Sequence, residues 1–252
     1  KVIKYEMKPL SSLEKVFPDE TPVYRMECQM LSGLWGETVS FQVAYTGDFV
    51  MRERLDVRVV SELAEHVHVR TVEMVPVGRA TNGIVDDNYL KTTSGLYPDL
   101  LKDLKDGKVI VYSRQWRSLW VDVDITNEIP AGEYEIELQL IKEGEVVCSA
   151  KQKVTVIGTE LPKLDIMHTE WMHADCLADY YHVEVFSEEH WKLLENYFQE
   201  YVKRDCNMML TPLFTSPLDT AIGLERTTCQ LIDVEVKDGE YVFGFEKLKR
   251  SL

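Results

Sequence analysis

The sequence predicts two domains of different classes, a β-sandwich followed by the first part of an α/β domain. Residues 23–157 alternate apolar and polar side chains with a period of two, which is typical of strands with one buried face. Residues 157–163 combine Gly and Pro, and beyond them the period becomes that of an amphipathic helix. We therefore assign residues 1–158 to the β-sandwich domain and residues 164–252 to the second domain.

The strands of the first domain are predicted from rows of inward apolar side chains. These rows are Phe41, Val43 and Tyr45 of SFQVAY, Leu119, Val121, Val123 and Ile125 of LWVDVDI, and Tyr134, Ile136, Leu138 and Leu140 of EYEIELQLI. Asp122 and Asp124 are predicted to face outward. Turn signals flank the last row, with IPAGEY before it and KEGE after it. Short strands at such spacing favour a two-sheet sandwich.

One stretch of the first domain, residues 79–107, breaks the alternation and exceeds the usual length of a connection. We interpret it as a surface excursion held down by its own apolar side chains. The alternative is a functional loop that reaches toward a site in the second domain, because long ordered loops often carry function.

The second domain begins with the pattern of a βαβ unit. LDIMH predicts a strand, an irregular stretch follows, SEEHWKLLENYFQEYVKRD predicts a helix with Ser187 as its N-cap, and MMLTPLF predicts a second strand. DVEVKDGEYVFGF predicts a hairpin that turns at Asp238 and Gly239, and FEKLKRSL predicts the opening of another helix. A strand, helix and strand in this order belong to α/β folds.

The α/β architecture that we expect is a (β/α)8 barrel. Residues 164–252 are far fewer than the roughly 250 residues of a complete barrel. A single βαβ unit also cannot cover both faces of a parallel sheet. We therefore expect an incomplete barrel and a chain that is the N-terminal portion of a longer protein.

Charge and composition restrict the partners. The net charge of −15 and the pI of about 4.9 make nucleic acid an unfavourable partner, because phosphate backbones are repelled. No apolar run approaches the roughly 20 residues that a membrane span needs, so we expect no membrane partner. The five cysteines are odd in number and scattered, as in reduced thiols, so we expect a cytoplasmic protein. A removed signal peptide stays an alternative, since the chain opens at Lys1.

Polar and aromatic side chains are concentrated in HTEWMHADCLADYY, residues 168–181, and a second polar stretch, TPLFTSPLDT, follows the second predicted strand. Active sites of barrels lie at the C-terminal ends of the strands, so both stretches are expected to line one cleft. Aromatic faces suit the C–H groups of a sugar ring, and the polar groups suit its hydroxyls. The predicted carbohydrate-binding residues are His168, Glu170, Trp171, His173, Asp175, Tyr180, Tyr181, Thr211, Thr215, Asp219 and Arg226. The alternative for His168 is a structural role, as a hydrogen-bonded residue at the end of a strand. The alternative for Trp171, Tyr180 and Tyr181 is that their rings pack under the β-sandwich domain.

A metal site is a weaker interpretation of the same stretch. HTEWMH differs from the H-E-x-x-H zinc motif, because its two histidines are five residues apart. A metal-dependent hydrolase that uses His168, Glu170 and His173 is therefore kept only as an alternative, and we predict no metal and no cofactor. Phosphate-loop, dinucleotide and serine-hydrolase motifs are missing from the sequence.

The order of these features resembles a known group of proteins. WRSLWVDVDITNEIPAGEYEIEL, HTEWMHADCLADYY, VFSEEHW, NMMLTPLFTSPLDT and ERTTCQLIDVEV together resemble bacterial glycoside hydrolase-like proteins grouped as domain of unknown function 4091. These are similar to glycoside hydrolase family 123, the β-N-acetylgalactosaminidases. The resemblance spans most of the chain, is strongest over residues 168–236, and implies a β-sandwich followed by a (β/α)8 barrel. Ser216 departs from the group, in which we expect TPPLDT, and this affects only local loop rigidity.

The resemblance also implies a mechanism. In family 123 a neighbouring Asp–Glu pair performs retaining, substrate-assisted hydrolysis, an exception to the usual two-carboxylate scheme. The Glu is the acid/base, and the Asp orients the acetamido group of the substrate, which is the nucleophile. We expect this pair on a later barrel strand beyond Leu252, so no residue of this chain is assigned a catalytic role and the chain alone is expected to be inactive. A non-catalytic carbohydrate-binding or structural protein is the alternative.

Overall fold

The computed structural model describes residues 4–23, 30–49, 51–81, 83, 89–163, 165–216 and 220–251. The chain divides into two compact units, Lys1–Leu161 and Pro162–Leu252. Strands dominate the first unit, whereas the described part of the second combines helices and a hairpin with long irregular segments. Among the described residues, no helix combines the length and the apolar character that a membrane crossing requires.

Two five-stranded sheets form the first unit. Its strands are β1 (Lys4–Ser11), β2 (Met30–Trp35), β3 (Thr38–Asp48), β4 (Glu53–Val60), β5 (Val67–Val77), β6 (Gly95–Asp103), β7 (Lys108–Val111), β8 (Arg117–Asp124), β9 (Gly132–Lys142) and β10 (Glu145–Glu160). The strand order is β1-β3-β8-β5-β6 in one sheet and β2-β10-β9-β4-β7 in the other. Neighbouring strands are antiparallel except β2 and β10, which are parallel.

One hydrophobic core takes side chains from both sheets. The predicted inward rows of β3, β8 and β9 are confirmed as buried, except for Tyr134, which is half-buried. Leu119 and Val121 of one sheet and Leu138 and Leu140 of the other are fully inaccessible to solvent. Full burial of such a side chain is worth about 1.5–3 kcal/mol, so these rows hold the two sheets together. The β structure predicted for the first domain is thereby confirmed.

Asp122 lies on the outer face of its sheet, as predicted, but its side chain is buried there rather than solvated. Its Oδ1 accepts hydrogen bonds from Ser40 Oγ at 2.6 Å and from Trp120 Nε1 at 2.7 Å. Its Oδ2 pairs with the guanidinium of Arg70 on β5. Neighbouring strands therefore supply partners that the alternation of a single strand does not reveal.

The prediction of a surface excursion over residues 79–107 is also wrong in part. Gly95–Asp103 forms the edge strand β6, which is antiparallel to β5. Its pattern is obscured by Pro98, which lacks an N–H and lies next to a shift in the register of the pairing. Residues 82 and 84–88 lie outside the described residues.

The second unit contains α1 (Ala174–Tyr181), α2 (Glu188–Lys203), β11 (Asp233–Lys237), β12 (Glu240–Gly244) and α3 (Glu246–Ser251). The predicted helix α2 is confirmed, and the hydroxyl of its N-cap Ser187 accepts a hydrogen bond from the backbone N–H of His190 at 3.3 Å. The hairpin of β11 and β12 is confirmed as well. Its turn residues Asp238 and Gly239 both have positive φ, as a type I′ turn requires.

The two strands predicted around α2 are not formed among the described residues, and Leu164 lies outside these residues. Their segments nevertheless lie side by side, because the backbone N–H groups of Asn207 and Met208 both donate to His168 O, at 3.0 and 3.1 Å. The amide of Asn207 accepts from His168 N and donates to Ile166 O, at 2.8 Å each. This side chain takes the place of a backbone ladder, so the expected start of a (β/α)8 barrel is not shown.

Candidate functional site

Helix α1 forms the centre of the candidate site, at a position where the sequence predicts an irregular stretch and no helix. It begins after His173, whose side chain makes no capping hydrogen bond, and ends at His182 in the left-handed conformation. Ala174, Leu177 and Ala178 are buried on one face of the helix. Packing against α2 and the segment around Cys229, rather than capping, therefore stabilises this short helix.

Asp175 occupies the same buried face and is held by Arg226. The guanidinium donates from Nε to Oδ2 at 2.7 Å and from Nη2 to Oδ1 at 2.9 Å, a bidentate pair. Only 9% of the Asp175 side chain and 12% of the Arg226 side chain are exposed. Both residues were predicted to bind sugar hydroxyls, but in this structure their polar atoms face each other.

A second contact runs parallel to this pair. Thr227 Oγ1 donates to Asp179 Oδ1 at 2.9 Å, one helical turn after Asp175. Arg226 and Thr227 therefore fasten their segment along α1 at two successive turns. Thr227 was not predicted as a site residue, since only its position in space relates it to the helix.

The second polar stretch lies beside the same segment. Thr215 Oγ1 contacts Gln230 Oε1 at 3.1 Å and accepts from the backbone N–H of Cys229 at 3.1 Å. The backbone N–H of Leu231 donates to Pro212 O at 2.9 Å. Of the other predicted residues here, Thr211 is exposed and Asp219 lies outside the described residues.

His168 and Glu170 form the polar edge of the site. His168 Nε2 lies 3.3 Å from Glu170 Oε1, and His168 Nδ1 lies 3.3 Å from Asp205 O. A neutral imidazole has one N–H, so it donates to one of these oxygens at a time. Glu170 remains exposed, so its carboxylate is accessible to a ligand.

The three residues proposed as ligands in the alternative of a metal-dependent hydrolase do not form a metal site among the described residues. Across the described ranges of the chain, no group of three or more His, Cys, Asp or Glu side chains is placed to hold a metal ion. His168 and Glu170 are close, but His173 does not complete a ligand set with them. The alternative of a metal-dependent hydrolase that uses these three residues therefore has no geometric support.

Exposed aromatic rings occur in the same stretch of the sequence, residues 168–181. Trp171 is 66% exposed, Tyr180 is 76% exposed, and the rings of Tyr180 and Tyr181 meet edge to face at 5.0 Å. The hydrogen bond between the hydroxyls of Tyr181 and Tyr197, at 3.1 Å, raises the pKa of Tyr181. These rings expose apolar faces to solvent, which is the arrangement that stacking on a sugar ring requires.

His190 is a supporting residue that sequence reasoning missed. It is fully buried, and its Nδ1 accepts from the backbone N–H of Phe186 at 2.8 Å. Its Nε2–H therefore donates to Ala174 O, at 2.9 Å, at the first residue of α1. The side chain joins the first turns of both helices, and no local sequence signal distinguishes it from an exposed residue.

Comparison with known proteins adds a family resemblance to this geometry. Residues 171–252 match the family described as glycoside hydrolase 123, catalytic domain. A solved structure of a family 123 glycoside hydrolase from Clostridium perfringens matches with a TM-score of 0.69 and 13% identity, over 98% of this chain and 44% of that one. A β-glucosidase from Listeria innocua matches with a TM-score of 0.29 and 10% identity, over 63% of this chain and 17% of that one.

No curated protein matches the sequence. The chain spans less than half the length of the Clostridium perfringens structure that it resembles. The likeness to that structure shows a common fold over nearly all of this chain, and the family match locates the catalytic-domain resemblance in the second unit.

Proposed function

We propose that this protein, which is similar to glycoside hydrolase family 123, is the N-terminal portion of an enzyme that hydrolyses glycans containing N-acetylhexosamine. The observation that carries the proposal is the match of residues 171–252 to the catalytic domain of that family. This match includes the exposed rings, Asp175 and Arg226. The proposed specificity is that of a β-N-acetylgalactosaminidase.

The architecture that we propose is a β-sandwich followed by the first part of a (β/α)8 barrel. The shared core of two five-stranded sheets supports the sandwich. The coverage of 44% of the Clostridium perfringens chain supports an additional segment in the complete enzyme. In such a barrel, the segments of His168 and Asn207, which already lie side by side, would continue as neighbouring strands.

The residues of this chain act in binding rather than in bond cleavage under this proposal. Trp171 and Tyr180 stack on the apolar face of a sugar ring, and Glu170 accepts a hydrogen bond from a hydroxyl. Asp175 and Arg226 position the wall of the site through their mutual pair. Because these two residues are buried, they serve a ligand indirectly.

The chemical step that we propose is retaining and assisted by the substrate. The acetamido oxygen attacks the anomeric carbon while a Glu donates a proton to the leaving oxygen, and a neighbouring Asp orients the acetamido group. We place this Asp–Glu pair outside the 252 residues, so the chain alone is expected to lack activity.

Turnover of synthetic glycosides tests the proposal. The full-length gene product and the 252-residue chain are assayed with aryl N-acetyl-β-galactosaminide and N-acetyl-β-glucosaminide. We expect hydrolysis by the full-length product alone. Aryl β-galactoside is the matched control, and it should be hydrolysed far more slowly because it lacks the nucleophilic acetamido group. Absence of turnover on a broad panel of aryl glycosides would contradict the proposal.

A further inference from the structure

A charged residue stands in a core-facing row of the first unit. Leu119, Val121 and Val123 of β8 point into the core, and alternation along the strand places Arg117 on the same face. Tyr45, the last inward residue of the β3 row, is directly opposite Arg117 in the register. At this end of β8, the guanidinium of Arg117 therefore follows the apolar side chains in the row that faces the core.

The guanidinium of Arg117 is incompletely satisfied. Nη2 donates to Gln115 Oε1 at 2.9 Å, and the guanidinium carbon lies 4.8 Å from the ring centre of Tyr112. Nε is buried, and no described residue accepts a hydrogen bond from it. Buried donors in native proteins almost always have a partner, since an unpaired one is costly. The described residues therefore leave one donor of this guanidinium without an acceptor.

Arg117 lines a cavity of about 560 Å³ within the first unit. This volume lies in the range of roughly 300–1,000 Å³ that is usual for small-molecule sites. The cavity wall combines the rings of Tyr45 and Tyr112 and the apolar side chains of Met74 and Ile110 with polar groups. It therefore has the mixed lining of a ligand site rather than that of a packing defect.

The charge of this lining is opposite to that of the chain as a whole. Five cationic residues line it, namely Arg54, Lys102, Lys105, Lys108 and Arg117, against two acids, Glu73 and Asp103. The chain carries a net charge of −15, so this clustering of cations is a local reversal. Basic side chains that converge on a concave surface attract anions.

Ion pairs reduce this local excess without removing it. Arg54 pairs with Asp106 and Lys108 pairs with Asp56, both at 3.0 Å and both with partly exposed side chains. The remaining three cations form no ion pair within the part of the chain that the structure describes. Arg117 is one of these three and also carries the unpaired donor.

We propose that this cavity binds the carboxylate or sulfate group of an acidic saccharide. The guanidinium of Arg117, which lines the cavity, attracts the anion, and Lys102 and Lys105 supply further positive charge at the rim. The ring of Tyr112 and the hydroxyl of Thr71 suit the sugar that bears the anion. The binding of an anion follows from the cavity alone. That the anion belongs to a saccharide rests on the proposed action of the enzyme on glycans.

Calorimetric titration of the 252-residue protein tests this site at low salt. The probes are methyl β-glucuronide, a sulfated monosaccharide, inorganic sulfate and neutral methyl β-glucoside. We expect both acidic sugars to bind more tightly than sulfate, the neutral sugar not to bind, and added NaCl to weaken binding. Arg117→Gln should weaken binding about tenfold, because one charge-assisted hydrogen bond is lost. Arg114→Gln is the matched control and should bind as the wild type does, since Arg114 is exposed and pairs with Asp48.

A second variant keeps the proposal testable if Arg117→Gln fails to fold. Lys102 is exposed, so Lys102→Gln should fold normally and should weaken binding about threefold through the lost charge. Binding of the neutral sugar as tight as that of the acidic ones, or wild-type affinity in both variants, would overturn the proposal. Equal affinity for sulfate and for the acidic sugars would overturn its saccharide part and leave an anion site. None of these outcomes depends on hydrolysis, so they are separate from the test of enzymatic activity.

Discussion

Arg226 and Asp175 lie 51 positions apart in the sequence and form two parallel hydrogen bonds in a site from which solvent is almost excluded. The pair is a bidentate, buried link between α1 and the segment that follows the second polar stretch. A buried pair of this kind is costly to break from one side, because the remaining charge stays in a poorly solvated site.

Replacement of Arg226 by Ala is therefore expected to destabilise the second unit by about 3–5 kcal/mol. The change leaves the Asp175 carboxylate buried without its bidentate partner. Urea denaturation followed by the tryptophan fluorescence of this unit measures the effect. Lys249→Ala is the control, since the pair of Lys249 with Glu246 is exposed and its loss should cost less than about 0.5 kcal/mol. Similar losses of stability in both variants would show that the buried pair stabilises the unit no more than the exposed pair does.

Replacement of His190 by Ala is expected to cost about 3 kcal/mol. It leaves a cavity at a fully buried position and removes the partners of Phe186 N–H and Ala174 O. Lys192→Ala, at an exposed position of the same helix, should change the free energy of unfolding by less than about 0.5 kcal/mol. Hydrogen exchange of the α1 amides provides a second measurement, and unchanged protection in His190→Ala would contradict the bridging role.

Alkaline pH is expected to destabilise the fold through Cys229. Burial raises the pKa of this thiol to about 12, against an ordinary value of 9.0. Because the folded pKa is the higher one, the contribution to stability is complete below pH 9 and is lost as the pH rises from about 9 toward 12. The free energy of unfolding at pH 7 and pH 10 measures this loss, and Cys229→Ala should reduce it. An equal loss in that variant would assign the pH dependence to other groups.

Thiol alkylation tests the burial of Cys229 independently of the pH dependence of stability. Cys176 is exposed, whereas Cys229 is buried with a raised pKa. Iodoacetamide at pH 8 should modify Cys176 in the folded protein and Cys229 only after denaturation, because the thiolate is the reactive form. Peptide mass spectrometry distinguishes the two sites, and equal rates in the folded protein would contradict the burial of Cys229.

Substitution of the exposed rings tests their predicted role in binding. In the full-length product, Trp171→Ala and Tyr180→Ala should each raise KM about tenfold with little change in kcat, because stacking is equally strong before and during bond cleavage. Both side chains are mostly exposed, so stability should hardly change. Tyr241→Ala, at an exposed position of β12, is the matched control and should leave KM unchanged. Wild-type KM in both ring variants would remove these residues from the site.

Local patterns predicted those elements whose cause is local. The alternation in β9 places Ile136, Leu138 and Leu140 in the core because each of them alone favours burial. The turn at Asp238 and Gly239 requires only the backbone freedom of these two residues. Each of these signals is complete within a dozen residues, so no knowledge of distant contacts was needed.

Elements that depend on distant partners could not be predicted in this way. Helix α1 is not predicted by the sequence pattern, because the acid Asp175 occupies its buried face and is acceptable there only through its pairing with Arg226. The segment that begins at Met208 has the apolar run of a strand, yet the amide of Asn207 takes the hydrogen bonds that a backbone ladder would use. The sequence therefore predicts which stretch carries the candidate site, whereas the pairing of Asp175 with Arg226 within it follows only from contacts in space.

The parallel pairing of β2 with β10 has a consequence for the order of folding during synthesis. Residues 30–35 have β10 as their neighbour in the sheet, and the paired residues begin at Lys153. During synthesis on the ribosome, β2 therefore stays without its partner β10 until more than a hundred further residues have been translated. Contacts of such long range slow folding and leave a strand edge exposed in the meantime. We expect the nascent chain to depend on chaperones until β10 has left the exit tunnel.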